Sequence, residues 1–336
     1  MTPVMPKLSV IVIVYNMREQ AMNTLHSLSP AYQKNIAADD YEVIVVENRS
    51  AHNLNETDIK KTLPNARYFL RDEQGVSPVH AINFAFQQCR APMIGLMIDG
   101  ARMLTPRVLE YVLMAKRIDE NALVAVPGYN LGPVEHQLAA EHDYNETIEK
   151  QQLNNIEWQQ NGYRLFDISS LGGANPTGVI NPLLESNCVF ASKTSFEKIG
   201  WADTAFTYPG GGSLNLHMFR SLGMLRETNH YFILPGEGSF HQLHGGVTTQ
   251  DARQQSKQDR EQMLKQFARQ INKRWGVFSV LKREPILLGA VTTHAQRFLK
   301  SSSKEATIRF SRLDENMTAH WIDDLTRLKS DRQESA

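Results

Sequence analysis

Leu8–Tyr15 reads LSVIVIVY, a β-branched run without a charge. A strand written that way is covered on both faces, as strands are in a parallel sheet packed between helices. Further along, Met22, Leu25 and Leu28 recur at helical spacing within residues 17–28, and residues 41–46 (YEVIVV) form a second strand. Residues 55–63 predict a short helix and residues 66–70 a weaker strand. Ser77 before Pro78 reads as a helix start, a capping hydroxyl followed by a residue whose fixed φ suits the first turn, and that helix runs to Cys89. A fourth strand, residues 92–98 (PMIGLMI), stops at Asp99-Gly100; Thr105-Pro106 caps the next helix, and residues 123–126 predict a fifth strand.

Strand and helix in turn, at this spacing, predict an α/β fold with a mostly parallel sheet and helices on both faces. Such sheets take ligands at the carboxyl ends of their strands. The candidate positions are therefore Tyr15-Asn16, Glu47-Asn48 and Asp99-Gly100-Ala101-Arg102.

The middle of the chain is less regular. Residues 135–160 are polar and predict helix, and residues 168–187 (ISSLGGANPTGVINPLLESN) read as a long loop, the kind that serves as a lid or a substrate-binding segment. Residues 188–191 predict a strand, 194–199 a helical turn, 213–222 a helix, and 231–234 a late strand leading into Gly236-Glu237-Gly238-Ser239-Phe240-His241. From Asp251 the chain turns helical and basic, with Met263, Phe267, Ile271 and Trp275 every four residues and nine Lys/Arg against four Asp/Glu in residues 251–290. Such a stripe docks on its parent domain; a basic face resting on anionic lipid is the other reading. A further amphipathic helix is predicted near residues 317–328. The division expected is an α/β half over 1–130, a second half of the same domain over 131–250, and a helical C-terminal extension over 251–336.

Composition sets bounds. The chain is formally neutral, which disfavours a dedicated nucleic-acid binder, since phosphate binding calls for surplus Lys and Arg. Cys89 and Cys188 sit in apolar runs and read as buried thiols of a reducing compartment. The opening Met-Thr-Pro-Val-Met-Pro-Lys lacks a basic signal-peptide start, and no apolar run approaches the ~20 residues of a membrane span. The expectation is a cytoplasmic protein with, at most, peripheral membrane contact.

Four stretches then fall into a known order. Residues 7–16 end in Tyr15-Asn16; residues 41–50 end in Glu47-Asn48-Arg49-Ser50; residues 73–83 read EQGVSPVHAIN; and Ile98-Asp99-Gly100-Ala101 follows. Together they resemble family 2 glycosyltransferases of the GT-A fold, over about residues 7–245. In that resemblance Gln74-Gly75-Val76-Ser77 to Asn83 matches the Gly-x-Ser-x-Ala-Arg-Asn stretch, with His80 where the family has Arg. Asp99-Gly100-Ala101 falls at the Asp-x-Asp motif, and His241 falls where GT-A enzymes often contribute a metal-binding histidine. The resemblance implies a nucleotide-diphosphate-sugar donor and a saccharide or lipid-linked acceptor, often in surface polysaccharide or glycolipid assembly. It implies a nucleotide-sugar site of Tyr15, Glu47, Gln74, Gly75, Asp99, Gly100 and Ala101, and a divalent cation, Mn²⁺ or Mg²⁺, on Asp99 and His241.

The residue chemistry agrees. Tyr15 offers a ring for a base to stack on, Glu47 an acceptor for a base N–H, and Asp99 a ligand for a cation or a ribose hydroxyl. Two departures stand out. Ala101 replaces the second acid of Asp-x-Asp, and Arg102 follows it, a guanidinium able to neutralise a leaving diphosphate bidentately. His244 is a further ligand candidate, and an imidazole ligand favours Mn²⁺ over Mg²⁺. Gly210-Gly211-Gly212-Ser213-Leu214-Asn215 occupies the place of the family's Glu-Asp base without an acid; its glycines offer N–H groups to an anion, and Glu185 becomes the replacement base. The expected reaction is inverting glycosyl transfer. A non-catalytic nucleotide-sugar or glycan-binding module is the alternative, favoured by the two missing acids. A nucleotidyltransferase would need a Gly-rich loop after the first strand, where Asn16-Met17-Arg18-Glu19 stands, and a dehydrogenase would need Gly-x-Gly-x-x-Gly there.

Overall fold

In a computed structural model the structure describes residues 5–73, 75–244, 257–276 and 279–311. Its strands are β1 (Leu8–Tyr15), β2 (Tyr41–Asn48), β3 (Ala66–Arg71), β4 (Met93–Met97), β5 (Arg102–Leu104), β6 (Leu123–Ala125), β7 (Gly128–Leu131), β8 (Ser169–Leu171), β9 (Cys188–Ser192), β10 (Tyr231–Ile233), β11 (Ser239–His241) and β12 (Ile286–Leu287). Its helices are α1 (Arg18–Ser27), α2 (Glu56–Thr62), α3 (Val79–Gln88), α4 (Val108–Ile118), α5 (Glu146–Ile156), α6 (Lys193–Lys198), α7 (Leu214–Met224), α8 (Lys257–Trp275) and α9 (Gln296–Ser311).

The main sheet has the order β12-β10-β6-β9-β4-β1-β2-β3. β1 pairs in parallel with β2 and β4, β2 with β3, and β10 with β6 and β12, while β9 runs antiparallel to both its neighbours. The sheet is mainly parallel, as the strand–helix alternation predicts. Both faces are covered because the strands are apolar on both sides. Leu8, Val10, Val12 and Val14 of β1 pack with Ala21 and Leu25 of α1, Ile59 of α2 and Val112 of α4. Ile11 and Ile13 point the other way, toward Ile82 and Phe86 of α3, Phe196 of α6 and Leu214 and Phe219 of α7.

A second sheet, order β5-β11-β7-β8, is absent from the sequence expectation. It carries its own core of Tyr129, Phe166, Phe240 and Phe298, with the Tyr129 and Phe240 rings stacked at 5.1 Å. Thr105 belongs to this layer and is not the cap of α4: its Oγ1 accepts the Gly238 N–H at 2.9 Å and its N–H donates to the Gly238 carbonyl, while α4 starts at Val108. Residues 168–187 are packed down. They begin in β8, bury Val179 and Leu183, and are tied by Asn175 Nδ2 to the Gly128 carbonyl (2.6 Å) and by the Val179 N–H to Ser302 Oγ of α9 (2.8 Å).

The C-terminal helices dock on the α/β body. On α8, Ile271 is buried, Arg274 pairs with Asp203 at 2.6 Å, and the Trp275 indole donates to His217 Nδ1 at 3.0 Å. The predicted helix near residues 317–328 lies outside the described residues. Both cysteines are free and buried, as expected.

β4, which ends at the candidate site, faces β9 with Gly95 opposite Phe190, and a Cβ on Gly95 would overlap the Phe190 ring. Gly95→Ala is therefore expected to destabilise the fold by about 1–3 kcal/mol through overpacking, measurable as a lowered urea midpoint.

Candidate active site

β4 runs out at Met97 and the chain turns through Asp99-Gly100. The turn lies so close to β1 that a Cβ on Gly100 would stand 2.7 Å from the Ile13 carbonyl oxygen and 2.8 Å from the Val14 side chain. Only glycine fits there. Asp99 closes its own turn, Oδ1 accepting the Ala101 N–H at 3.0 Å. The next strand, β5, pairs antiparallel with β11 in a register that sets Arg102 opposite His241. Asp99 Oδ2 meets His241 Nε2 at 2.8 Å and His244 Nε2 at 3.6 Å, and the two imidazole nitrogens lie 3.2 Å apart.

Burial works against a charge on Asp99, but the facing imidazoles of His241 and His244 outweigh it and hold the carboxyl well below its usual range. Burial, then the Arg102 guanidinium, push His241 down to about 4. His136 packs behind it with ring centroids 4.8 Å apart, and burial takes its imidazole to about 3. At neutral pH the central contact is a carboxylate accepting an N–H from a neutral imidazole. Arg102 is only 9% exposed; burial lowers its pKa, and the charges of Asp99 and Glu185 oppose that fall. Its Nε lies 3.9 Å from Asp99 Oδ2 and has no hydrogen-bond partner, a buried donor that a ligand oxygen would satisfy.

These three side chains fit a divalent cation. Their ligand atoms lie within 4.8 Å of one another. Ligands bound at ~2.1 Å stand roughly 3.0–3.4 Å apart around one ion, and the observed separations of 2.8, 3.2 and 3.6 Å bracket that range. Two imidazoles and one carboxylate suit Mn²⁺ better than Mg²⁺.

The reversed strand explains how Glu185 arrives. Because β9 is antiparallel, it starts where β4 ends, with Cys188 opposite Met97, so the residues just before it lie at the same sheet edge as Asp99. Ser186 Oγ fixes this approach by donating to the Cys188 carbonyl at 2.7 Å and the Val126 carbonyl at 2.9 Å. Glu185 Oε2 accepts from Asn215 Nδ2 at 2.8 Å, and burial raises its pKa. Asn215 lies in the first turn of α7, in the segment that lacks the expected acid. Of the glycines before it, Gly210 faces open space and Gly212 is covered. Gly210, Gly211 and Gly212 all have left-handed φ, Phe267 of α8 lies against Gly212, and Ser213 Oγ donates to the Phe267 carbonyl at 2.8 Å.

At the nucleotide end, Tyr15 pairs in register with Asn48 and is 59% exposed, so its ring is open to a ligand. Glu47 differs from expectation. It is fully buried, and its Oε2 accepts the Leu54 N–H at 2.9 Å and the Tyr68 O–H at 2.6 Å, tasks that hold the β2–β3 connection together. The neighbouring Asn48 has a buried Oδ1 without a partner and is the better-placed acceptor. Strand alternation accounts for the difference, since one residue along β2 changes the face. Ala101 is also fully buried, its carbonyl accepting the Gln242 N–H at 2.8 Å, so it is a backbone element of the site. Gly75 has φ +94° and faces open space; Gln74 lies outside the described residues. Asn83 brackets Ala202, accepting its N–H at 3.0 Å and donating to its carbonyl at 2.8 Å, and His80 is exposed.

Sequence reasoning missed Asn215, His136 and Glu149. Glu149 was legible in principle: with Leu153 and Ile156 it forms the buried i, i+4, i+7 stripe of an otherwise polar helix. A cavity of about 500 Å³ between α3 and the turn at Gly200–Thr204, lined in part by Phe86, Trp201 and His217, shares no residue with this cluster.

Glu47→Ala should lower stability by about 1–3 kcal/mol, since it strands the Leu54 N–H and the Tyr68 hydroxyl. Denaturant unfolding measures the loss, and calorimetric nucleotide affinity at saturating fold should change less than threefold, roughly the reach of a lost packing contact.

Residues 9–172 match the family model described as glycosyl transferase family 2. No curated protein sequence matches the chain. Among solved structures, S. aureus TarS is 11% identical, with 80% of this chain and 44% of that chain covered and a TM-score of 0.47; this chain thus spans less than half the length of that protein. S. aureus TarS 1-349 in complex with UDP-GlcNAc is 14% identical, covering 96% and 80%, with a TM-score of 0.46. The mannosyltransferase PcManGT from Pyrobaculum calidifontis, in complex with GDP-Man and Mn²⁺, is 13% identical, covering 90% and 70%, with a TM-score of 0.47. Residues 9–172, just under half of the chain, are thus similar to glycosyl transferase family 2, and the mainly parallel α/β sheet with the Asp-Gly-Ala turn at its edge lies largely within that match.

Proposed function

We propose that this chain transfers a glycosyl group from a nucleotide-diphosphate-sugar to a hydroxyl acceptor, with inversion at the sugar carbon. The observation that carries the reading is the convergence of Asp99, His241 and His244 beside the unpartnered Arg102 Nε, at the carboxyl edge of a family 2 sheet. The family's donors place a pyrophosphate at this edge, and a cluster with one carboxylate, two imidazoles and a guanidinium is suited to it.

In this reading the base stacks on Tyr15 and donates to Asn48, with Glu47 behind it as the buried support. Gly75, Gly100 and Ala101 supply backbone around the donor. Asp99, His241 and His244 hold the cation, Mn²⁺ in preference to Mg²⁺, and when bound it supplies Lewis-acid neutralisation of the diphosphate. Arg102 adds a fixed positive charge where the leaving oxygen becomes negative. Glu185 takes the proton from the acceptor hydroxyl as that oxygen attacks the anomeric carbon; the bond to the diphosphate breaks, and its electron pair leaves with the nucleotide. Burial raises the Glu185 pKa, which strengthens it as a base.

The first half of the domain binds the donor, the second half from residue 131 completes the site, and the segment after residue 251 is an appended helical extension. Lys265, Arg269 and Lys273 are exposed along α8, four residues apart, and fit an anionic membrane surface. Among the described residues no helix is long and apolar enough to cross a membrane. An acceptor used in surface polysaccharide or glycolipid assembly at the cytoplasmic face is consistent with that arrangement.

The buried Ala101 and the amide at Asn215 favour a second reading, a nucleotide-sugar or glycan-binding module without turnover. Calorimetric titration of UDP, GDP and CDP with and without Mn²⁺, followed by assay of donor hydrolysis, separates the two. Binding with sugar release is expected; binding without release supports the module, and no binding at millimolar concentration removes both. Asp99→Ala should abolish turnover in a folded protein. Glu185→Gln should lower kcat/KM by about 10²–10⁴. In the parent enzyme kcat/KM should rise with pH as Glu185 loses its proton, through a midpoint above the usual carboxylate range, and that limb should vanish in Glu185→Gln.

A further inference from the structure

Leu243, between the two histidines, is held at both of its backbone groups. The Leu243 N–H donates to both carboxylate oxygens of Glu149, at 3.0 and 2.9 Å, from α5; the Leu243 carbonyl accepts Gln20 Nε2 of α1 at 3.0 Å. Next to it, the Gln242 N–H bonds the Ala101 carbonyl at 2.8 Å, and the Gln242 side chain accepts from Asn23 Nδ2 at 2.8 Å and donates to the Gln20 carbonyl at 2.9 Å. Glu149 is 4% exposed and also accepts the Tyr144 hydroxyl at 3.2 Å. Its Oε2 stands 4.0 Å from Nε2 of His136, the ring packed behind His241.

An apolar side chain at this position of the buried stripe would satisfy packing, and burying a carboxyl is unfavourable unless its bonds offset the desolvation. The bonds to Leu243 and Tyr144 offset only part of that cost, and burial still raises the Glu149 pKa to about 8. His241 and His244 are separated by two residues, so the orientation of the Leu243 peptide fixes how their ring nitrogens approach Asp99.

We propose that Glu149 is a positioning residue: by holding the Leu243 N–H from α5, it sets the spacing of the His241 and His244 imidazoles around Asp99. This rests on the reading of those three side chains as a cation site. Groups that orient ligands without touching the metal commonly change metal affinity by about 10–100-fold.

The experiment titrates Mn²⁺ into the full chain by calorimetry and reads the bound ion by pulsed electron paramagnetic resonance. Glu149→Leu keeps an apolar-compatible volume and removes the acceptor; Glu149→Gln keeps one carbonyl acceptor; Gln20→Ala releases the Leu243 carbonyl on the other side of that residue. Expected are at least about tenfold weaker Mn²⁺ binding with loss of imidazole ¹⁴N coupling for Glu149→Leu, recovery toward the parent in Glu149→Gln, and weakening in Gln20→Ala. Circular dichroism identifies any variant that fails to fold, and if Glu149→Leu does, the Gln20→Ala and Glu149→Gln results decide. Failure of the parent chain to bind Mn²⁺ overturns the cation reading itself. Parent-like affinity and coupling in folded Glu149→Leu, or in both other variants when it does not fold, overturns the positioning role and leaves the cation site standing.

Discussion

A carboxylate withdrawn from water at the end of a buried strand has to be met by donors or cations, or it does not stay charged. Asp99 is in that position, and much of the surrounding architecture can be read as the answer to it. The turn supplies the Ala101 N–H, β11 supplies His241, the segment after it supplies His244, and β5 brings Arg102 within 3.9 Å. They come from two distant stretches of the chain, residues 101–102 and 241–244. The close approach of Gly100 to β1 draws this cluster in against the end of the first strand, next to the Tyr15–Asn48 pair.

Two topological features make the convergence possible. The small second sheet pairs β5 with β11, so that Arg102 and His241 become cross-strand neighbours although they are far apart in sequence. The reversal of β9 lets a segment enter the main sheet from its carboxyl edge, which delivers Glu185 to the side of the cluster opposite Tyr15 and Asn48 in the strand order. A sheet with every strand parallel would have sent the residues before that strand to the far edge.

The sequence was legible where a strand is long and buried on both faces. Leu8–Tyr15 and Tyr41–Asn48 announce themselves because their central residues, 10–14 and 43–46, form unbroken apolar runs, and the abrupt stop at Asp99-Gly100 marks a strand tip. The three-residue strands β5, β7, β8 and β11 carry no such period; three residues cannot distinguish alternation from chance, and their pairing is decided by tertiary contacts. Glu47 illustrates a different limit. The resemblance identifies the strand tip, but which of two adjacent polar residues faces the ligand depends on the pleat. For Glu149 the buried stripe is legible but its task is not: one partner is the Leu243 backbone N–H, and backbone groups leave no trace in side-chain patterns.

The departures from the family pattern acquire a common electrostatic sense once their surroundings are known. Replacing an acid by Ala101 and supplying imidazoles instead leaves a ligand set with one negative charge, so a divalent cation bound there retains a net positive charge, to which Arg102 adds another. A site of that sign attracts a diphosphate more strongly than one with two carboxylates, and it holds the nucleotide product more strongly as well. If Glu185 is the base, as proposed, the excess also bears on it. Arg102 tends to keep Glu185 ionised, while burial tends to protonate it, and burial prevails. Asn215, a neutral donor at the start of α7, lets the carboxylate be oriented without a second cation that would depress its basicity. An amide at this position and an alanine at the other are compatible with one arrangement, in which Arg102 lies beside the aspartate turn and Glu185 is held by the Asn215 amide at the helix start.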